Sequence, residues 1–397
     1  MIKGISKLSK VIFMVLVLSL FLVGCKGNES GKAVDPVVDV SVEEEFIDEN
    51  TGLVYEGKME LEYAEHFAVD YYKDGYKIIT DSSDRKVLIV PEGKEVPEMK
   101  EEMPVVKQPI QTVGIYSTVD ASWFRPLNEL GRISTVTFEA DKWRIPEIVE
   151  GMENGTISYV GKSSAIDYEL LQAVNPSVNL LSKSSEEELF PKYDELGLDY
   201  ISMGAYLEDD PRGRLEWVKF AAALLNKEEE ADKFYDGELA RINEISEKVA
   251  KSTDEKLKVA IVYFSGSKEV FYVNNIKGHQ TITTTLAGGL PYPEGLSPEK
   301  RGSTPMTDEE FYKVMSDVDV LIYDNITGHG IQSIDDMLEK ADYLADMKVV
   351  KEGRIWGLQR DYWQSADKVA DIIEDLHSIL STPHGEITEN AYYFLMK

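Results

Sequence analysis

The segment Lys227 to Lys251 (KEEEADKFYDGELARINEISEKVAK) constrains the fold more than any other. It is charged along most of its length, yet Ala231, Phe234, Leu239, Ile242 and Ile245 recur at roughly helical spacing. This predicts a long helix with one buried stripe, long enough to bridge two bodies. Upstream of it, short β-like runs alternate with helix-periodic ones: ISYVG then DYELLQAV, VNLLS then EEELFPKYDELG, LDYISMGAY then RGRLEWVKFAAALL. Alternation resumes downstream with KVAIVYFSG, EVFYVNN, a helix ending at Ala287-Gly288-Gly289, the strand VDVLIYDN, a helix near Ile334 to Lys340, the strand RIWGLQ and a helix from Ser365 to Leu380. Strand and helix in alternation predict an α/β fold in which helices cover a mainly parallel sheet. The expected order is lobe, bridge, lobe: 53–226, 227–251 and 252–397. No short internal repeat of solenoid or propeller type is present.

The N-terminus reads differently. Lys3, Lys7 and Lys10 precede an apolar run from Val11 to Val23 that is short for a permanent membrane span, which predicts a cleavable leader over residues 1–24. Leu22-Val23-Gly24-Cys25 resembles the lipobox of bacterial lipoproteins, which implies a lipidated Cys25 as mature N-terminus. Cys25 is the chain's one cysteine, so no disulfide can form within it. Residues 25–52 are polar and acidic and are expected to form a flexible tether. Between Leu61 and Tyr116 the runs LEYAEHFAVDYY, YKIITDS, KVLIVPEG and VVKQPIQTVGIYS, separated by turn signals, predict a β-meander leading into the first lobe.

The formal charge is −30, and loss of the three leader lysines takes it to about −33. A field of that sign repels phosphate backbones, so nucleic acid is not an expected partner; an anionic ligand would need a local basic pocket. Gly155 to Ser163 superficially resembles a phosphate-binding loop, but five residues separate its glycines where four are needed, and its β-like run lies between them. No HExxH, no GxSxG and no calcium-loop pattern occurs, and the five histidines are scattered.

Aromatic and amide side chains gather at predicted strand ends, where α/β lobes hold ligands. The candidate ligand-binding residues are Tyr116, Trp143, Lys162, Ser163 and Tyr206 in the first lobe, with Tyr263, Tyr272, His279, Asn325, Arg360, Tyr362 and Trp363 in the second. Aromatics would stack on a solute, and Lys162 and Arg360 would pair with anionic oxygens. His279 and His329 each follow a glycine in a loop, a setting suited to ligating or hydrogen-bonding a metal complex.

The segments GKSSAIDYELL (Gly161 to Leu171), DELGLDYISMGAYLEDDPRGRLEWVKFAAALL (Asp194 to Leu225), YVNNIKGHQTITTTLAGG, TDEEFYKVMSDVDVLIYDNI and RIWGLQRDYWQS stand in an order and spacing similar to one family. Over roughly Leu53 to Leu380 the chain resembles the substrate-binding lipoproteins of iron-complex and cobalamin ABC importers, of class III periplasmic-binding type and a clostridial-type branch. That resemblance implies two Rossmann-like α/β lobes joined by one long rigid helix, with the ligand cleft between them and limited closure. It implies a non-enzymatic, monomeric receptor, held by lipidated Cys25 at the outer face of the cytoplasmic membrane, that captures an iron-siderophore or similar metal chelate and delivers it to an ABC permease. No cofactor is implied beyond the solute. Glu208 and Glu310, or its neighbour Glu309, would dock into basic pockets of the permease. The chain departs from the family at Ser163, where tyrosine is common, and at Asp209-Asp210, which replace serine-histidine. A haem or corrinoid receptor is the alternative solute reading, with His279 or a tyrosine as axial ligand. A surface hydrolase and an adhesion lipoprotein are the alternatives of a different class.

Overall fold

The computed structural model describes residues 46–183, 187–328 and 330–397. The leader, Cys25 and His329 lie outside the described residues. Chain order begins with five strands, β1 (Tyr55–Lys58), β2 (Ala68–Tyr72), β3 (Lys77–Thr80), β4 (Lys86–Val90) and β5 (Val105–Lys107), which form one sheet in sequential order. The first four pair antiparallel and β5 joins β4 in parallel. The expected tether boundary at residue 52 is too late. The Asp48 carboxylate accepts from Asn50 N, Thr51 N and Thr51 Oγ1, and Ile47 pairs with Val54, so the chain is already in a closed turn before β1.

LEYAEH, read as the front of a strand, is not one. Residues 61–66 instead form a strap whose backbone N–H groups point at two buried carboxylates. Glu216 accepts from Glu62, Tyr63 and Ala64 at 2.8, 2.9 and 2.8 Å, and Glu208 accepts from Glu65 and His66 at 3.1 Å each. Side chains thus supply the partners that a neighbouring strand would otherwise give.

The first lobe is a wholly parallel sheet, order β10-β9-β6-β7-β8, built from β6 (Val113–Ile115), β7 (Ile133–Val136), β8 (Ser158–Tyr159), β9 (Val178–Ser182) and β10 (Tyr200–Met203). Its helices are α1 (Pro146–Glu153), α2 (Tyr168–Val174), α3 (Phe190–Leu196) and α4 (Pro211–Leu225). α4 is buried over nearly its whole circumference, Arg214, Glu216 and Lys219 included. It lies against the bridge and helices of the second lobe, and the Glu216-bound strap covers another of its sides.

The bridge is α5 (Glu228–Lys251), with glutamates in its first turn and lysines in its last, matching the helix dipole. Its buried face is Ala231, Tyr235, Glu238, Ile242 and Ile245; Phe234 and Leu239, expected in the stripe, are only partly buried because the stripe runs one residue to the side. The second lobe has a seven-stranded sheet: β11 (Lys258–Ser265), β12 (Val270–Asn274), β13 (Leu290–Pro291), β14 (Ser303–Met306), β15 (Val320–Tyr323), β16 (Ile355–Leu358) and β17 (Tyr393–Leu395). β11, β13, β14, β15 and β16 run in one direction and β12 and β17 run against them, so antiparallel pairs are mixed into this sheet. A tight hairpin after Ser265, with Glu269 at φ 52°, turns β12 back along β11. Its helices are α6 (His279–Leu286), α7 (Asp308–Met315), α8 (Ile334–Lys340), α9 (Lys348–Lys351) and α10 (Val369–Ser381). Arg241 on α5 ties the bridge to α10 through Asp371 and Glu374.

One apolar core runs through both lobes, joining Ile115, Leu215 and Trp217 to Ile261, Val320 and Trp356. Polar contacts also cross between them: Arg125 reaches Asp367 at 3.3 Å and Gln364 O at 2.9 Å, and the Gln364 side chain accepts from Arg144 N and donates to Lys142 O. Among the described residues no helix is long and apolar enough to cross a membrane.

Candidate functional site

Between the lobes lies a cleft of about 490 Å³, within the range of small-molecule sites. The first lobe supplies four consecutive residues, Tyr206 to Asp209, from the loop after β10. The second supplies the rest: Tyr263 near the end of β11, Asn274 and Asn275 at the end of β12, the start of α6, Arg301 to Ser303 before β14, Asp324 and Thr327 after β15, and Trp363 after β16. These are mainly carboxyl ends of strands, where ligands gather in α/β sheets.

Local sequence explains this placement. Gly278, at φ +141°, lets the chain leave β12 and enter α6 at once, which sets His279 at the cleft wall. The Asp324 carboxylate accepts from Ile326 N, Thr327 N and Thr327 Oγ1, which holds the loop after β15 in an Asx turn. Gly328 sits where a Cβ would lie 2.5 Å from the Tyr323 hydroxyl oxygen and 3.0 Å from Phe264 N, so only glycine fits.

The floor of the cleft is aromatic, with His279 and Trp363 half-buried over a buried Tyr362. His279 and Trp363 meet edge to face at 5.6 Å, with Tyr362 against Trp363 at 5.3 Å. His279 Nε2 and Trp363 Nε1 are buried without a hydrogen-bond partner. Burial, and then the charge of Arg214, holds the His279 imidazole well below its usual pKa, so it is neutral at physiological pH. Burial likewise brings the Arg214 guanidinium down to about 10. His279, Arg214, Tyr362 and Trp363 also enclose a second cavity of about 30 Å³ beneath the cleft, room for a single water. Tyr263 and Tyr272 stack at 5.0 Å with their rings 4° from parallel, and Ser303 Oγ donates to the Tyr263 hydroxyl.

Of the residues singled out from sequence, the cleft brings together Tyr206, Tyr263, His279 and Trp363 at its lining, with Tyr362 beneath and Tyr272 behind Tyr263. The others lie elsewhere. Tyr116 is 1% exposed and hydrogen-bonds the Tyr193 hydroxyl, and Trp143 is 2% exposed and donates to Phe138 O; both belong to the first lobe's apolar core. Asn325 is buried, accepting from Leu358 N, and so ties β15 to β16. Lys162 is exposed 3.9 Å from Glu139, Ser163 is half-buried on the loop after β8, and Arg360 is exposed; none lines the cleft. Glu208 is not a surface residue. It is 3% exposed, and its carboxylate also accepts from the Trp217 indole at 3.1 Å. Glu310 is exposed, but its carboxylate accepts from Thr307 N and Oγ1 in the capping box of α7, which holds it below the usual carboxylate range.

Sequence reasoning missed the cleft's charged rim. Asp209 faces Arg301 at 2.7 Å and Lys277 at 3.6 Å across the two lobes, and Arg301 Nη2 lies 3.4 Å from His66 Nε2 on the strap. The available signal was Lys277 and Arg301 each standing beside a glycine, Gly278 and Gly302, in a loop between β-like runs.

The sequence profile of the periplasmic binding protein family matches residues 145–362, more than half of the chain. An uncharacterized lipoprotein of Methanocaldococcus jannaschii is 26% identical over 362 residues, 84% of each chain, and a second from that organism is 24% identical over 349 residues, 85% of this chain and 87% of the other. Among solved structures, a periplasmic haem-binding protein of Vibrio cholerae superposes with a TM-score of 0.56 at 14% identity, over 68% of this chain and 99% of that one. A periplasmic solute-binding protein of Veillonella parvula gives 0.56 at 16% identity, over 77% of this chain and 87% of that one. Those likenesses concern the fold, a two-lobed α/β body. With the profile match across both lobes and the bridge, the chain belongs to the periplasmic binding protein family.

Proposed function

We propose that the protein is a non-enzymatic, monomeric receptor of an ABC importer that captures an iron-siderophore or similar metal chelate in the interlobe cleft. In this reading lipidated Cys25 holds it at the outer face of the cytoplasmic membrane, and it passes the solute to its permease. The observation that carries the reading is the cleft itself: about 490 Å³ at strand ends of two lobes, with aromatic walls, amide and hydroxyl groups, and a charged rim. Glu309, on the exposed surface of α7 beside Asp308, Tyr312 and Tyr343, is the second-lobe acid offered to the permease, since Glu310 is committed to its cap.

The unpartnered, neutral Nε2 of His279 favours a second reading, a haem or corrinoid with this nitrogen as axial ligand. Titration of the full-length chain in detergent with hemin, cyanocobalamin, iron(III) citrate and ferrichrome, followed by tryptophan fluorescence and visible absorbance, tests both. Quenching by one iron chelate without a Soret shift supports the first reading. A Soret shift lost in His279→Ala supports the second, and no response to any of the four refutes both.

A further inference from the structure

We propose that Asp209 is an internal counter-ion held on an anion-recognition pair, Arg301 and Lys277, and that the cleft selects solutes bearing a carboxylate that takes its place. The inference rests on the receptor reading above and goes on to name the chemistry of the solute's edge.

Five lining residues carry formal charge: Glu208, Asp209, Lys277, Arg301 and Asp324. Two of them keep their negative charge but are held in place by neutral donors. Glu208 accepts from Glu65 N, His66 N and the Trp217 indole, and Asp324 accepts from its own loop. The five sum to −1, and what the cleft offers an anion is local: among the described residues Asp209 is the one carboxylate paired with Arg301 or Lys277. Two cations sharing one exchangeable carboxylate make the local basic site that an anionic ligand needs in a protein whose formal charge is −30.

The geometry of the contacts makes Asp209 displaceable. Its Oδ1 lies 2.7 Å from Arg301 Nε yet is without a directed hydrogen bond, because the N–H does not point at it. Its Oδ2 is 3.6 Å from Lys277 Nζ, beyond hydrogen-bond reach. The attraction is therefore Coulombic and undirected, whereas a solute carboxylate free to orient can meet the guanidinium along both N–H directions. His66 Nε2, 3.4 Å from Arg301 Nη2, steadies the guanidinium from the strap. Arg301 and Asp209 are both partly exposed, so the exchange needs a rotamer change and no lobe opening.

The test compares the full-length chain with Asp209→Asn and, as a second variant, Asp209→Ser, alone and on an Arg301→Gln/Lys277→Gln background. The probes are iron(III) citrate and hemin, which bear carboxylates, and ferrichrome and cyanocobalamin, which carry no net charge. Removal of the internal competitor should tighten a carboxylate-bearing probe about three- to five-fold at about 50 mM salt and less at about 500 mM. Uncharged probes should shift less than about two-fold, and on the double-glutamine background the Asp209 effect should vanish. Unchanged or weaker binding of the carboxylate-bearing probes by both Asp209 variants overturns the proposal while leaving the receptor reading intact. Binding of uncharged probes alone does the same, and failure of every probe with every protein overturns both.

Discussion

Replacing Glu216 by glutamine should release the strap that precedes β2. The wild-type carboxylate is fully buried and takes one backbone N–H on Oε1, from Glu62, and two on Oε2, from Tyr63 and Ala64. Hydrogen bonds to a charged acceptor contribute about 1.5–3 kcal/mol each, and a buried donor left unpaired costs about 1–3 kcal/mol. Glutamine can keep two of the three through its carbonyl oxygen. Its NH2 then faces the third N–H, and Lys219, 3.5 Å away, loses its counter-charge on α4. We expect a loss of about 3–4 kcal/mol in local stability, and a rise of about a hundred-fold or more in amide exchange over residues 60–67. Hydrogen exchange read by mass spectrometry on the full-length chain gives the assay, with peptides from α5 as an internal control. Exchange over residues 60–67 within about three-fold of wild type would show that water replaces the carboxylate without penalty and would refute the reasoning.

Three further outcomes follow from particular contacts. Burial pushes Asp367 up to about 6 in the folded protein, partly offset by Arg125, so the folded state binds the proton more tightly than the unfolded chain. Stability from this group is greatest below the ordinary value of 3.8, falls as pH rises towards 6 by about 3 kcal/mol, and is flat above; Asp367→Asn should flatten that window in urea titrations run from pH 4 to 7. Gly328→Ala, whose Cβ meets Tyr323 and Phe264, should cost about 2 kcal/mol or more and displace Thr327 from the cleft wall, read as a lower thermal midpoint together with weaker solute quenching. Arg241→Gln, which removes the half-exposed tie from α5 to Asp371 and Glu374, should cost only about 1 kcal/mol in denaturant midpoints, and a larger loss would mean that the network is more than a set of surface pairs.

The bridge was legible at α5 because apolar residues recur at helical spacing along an otherwise charged stretch too long for a strand. The lobes were legible through their alternating runs. What escaped was decided by contacts distant in sequence. An aromatic at a strand end belongs to the cleft or to the core according to which helix covers it, and Tyr116 went to the core because Tyr193 on α3 reaches its hydroxyl. Glu208 reads as a surface acid in Tyr206-Leu207-Glu208-Asp209-Asp210. It is buried because a strap more than a hundred residues upstream brings two backbone N–H groups onto it. Lys162 and Arg360 carry the right charge for an anionic solute, but loop paths place Lys277 and Arg301 at the cleft instead.

Glu208 and Asp209 are neighbours with opposite tasks, and that adjacency links the N-terminal sheet to the cleft. Glu208 fastens the rim loop from behind, to the strap and to Trp217, while Asp209 reaches forward across the lobes. The first lobe's whole contribution to the cleft lining, Tyr206 to Asp209, is therefore held by a segment that precedes the lobe in sequence. A solute that draws Arg301 away from Asp209 meets a loop whose backbone stays fixed. The apolar core continuous through α4, Ile261 and Trp356 resists wide separation of the lobes for the same reason that any close-packed interior resists strain. If the proposed exchange at Asp209 holds, selection at this rim depends on side-chain exchange against a rigid frame, and Glu216→Gln should narrow the affinity gap between iron(III) citrate and ferrichrome in fluorescence titrations even though Glu216 itself does not line the cleft.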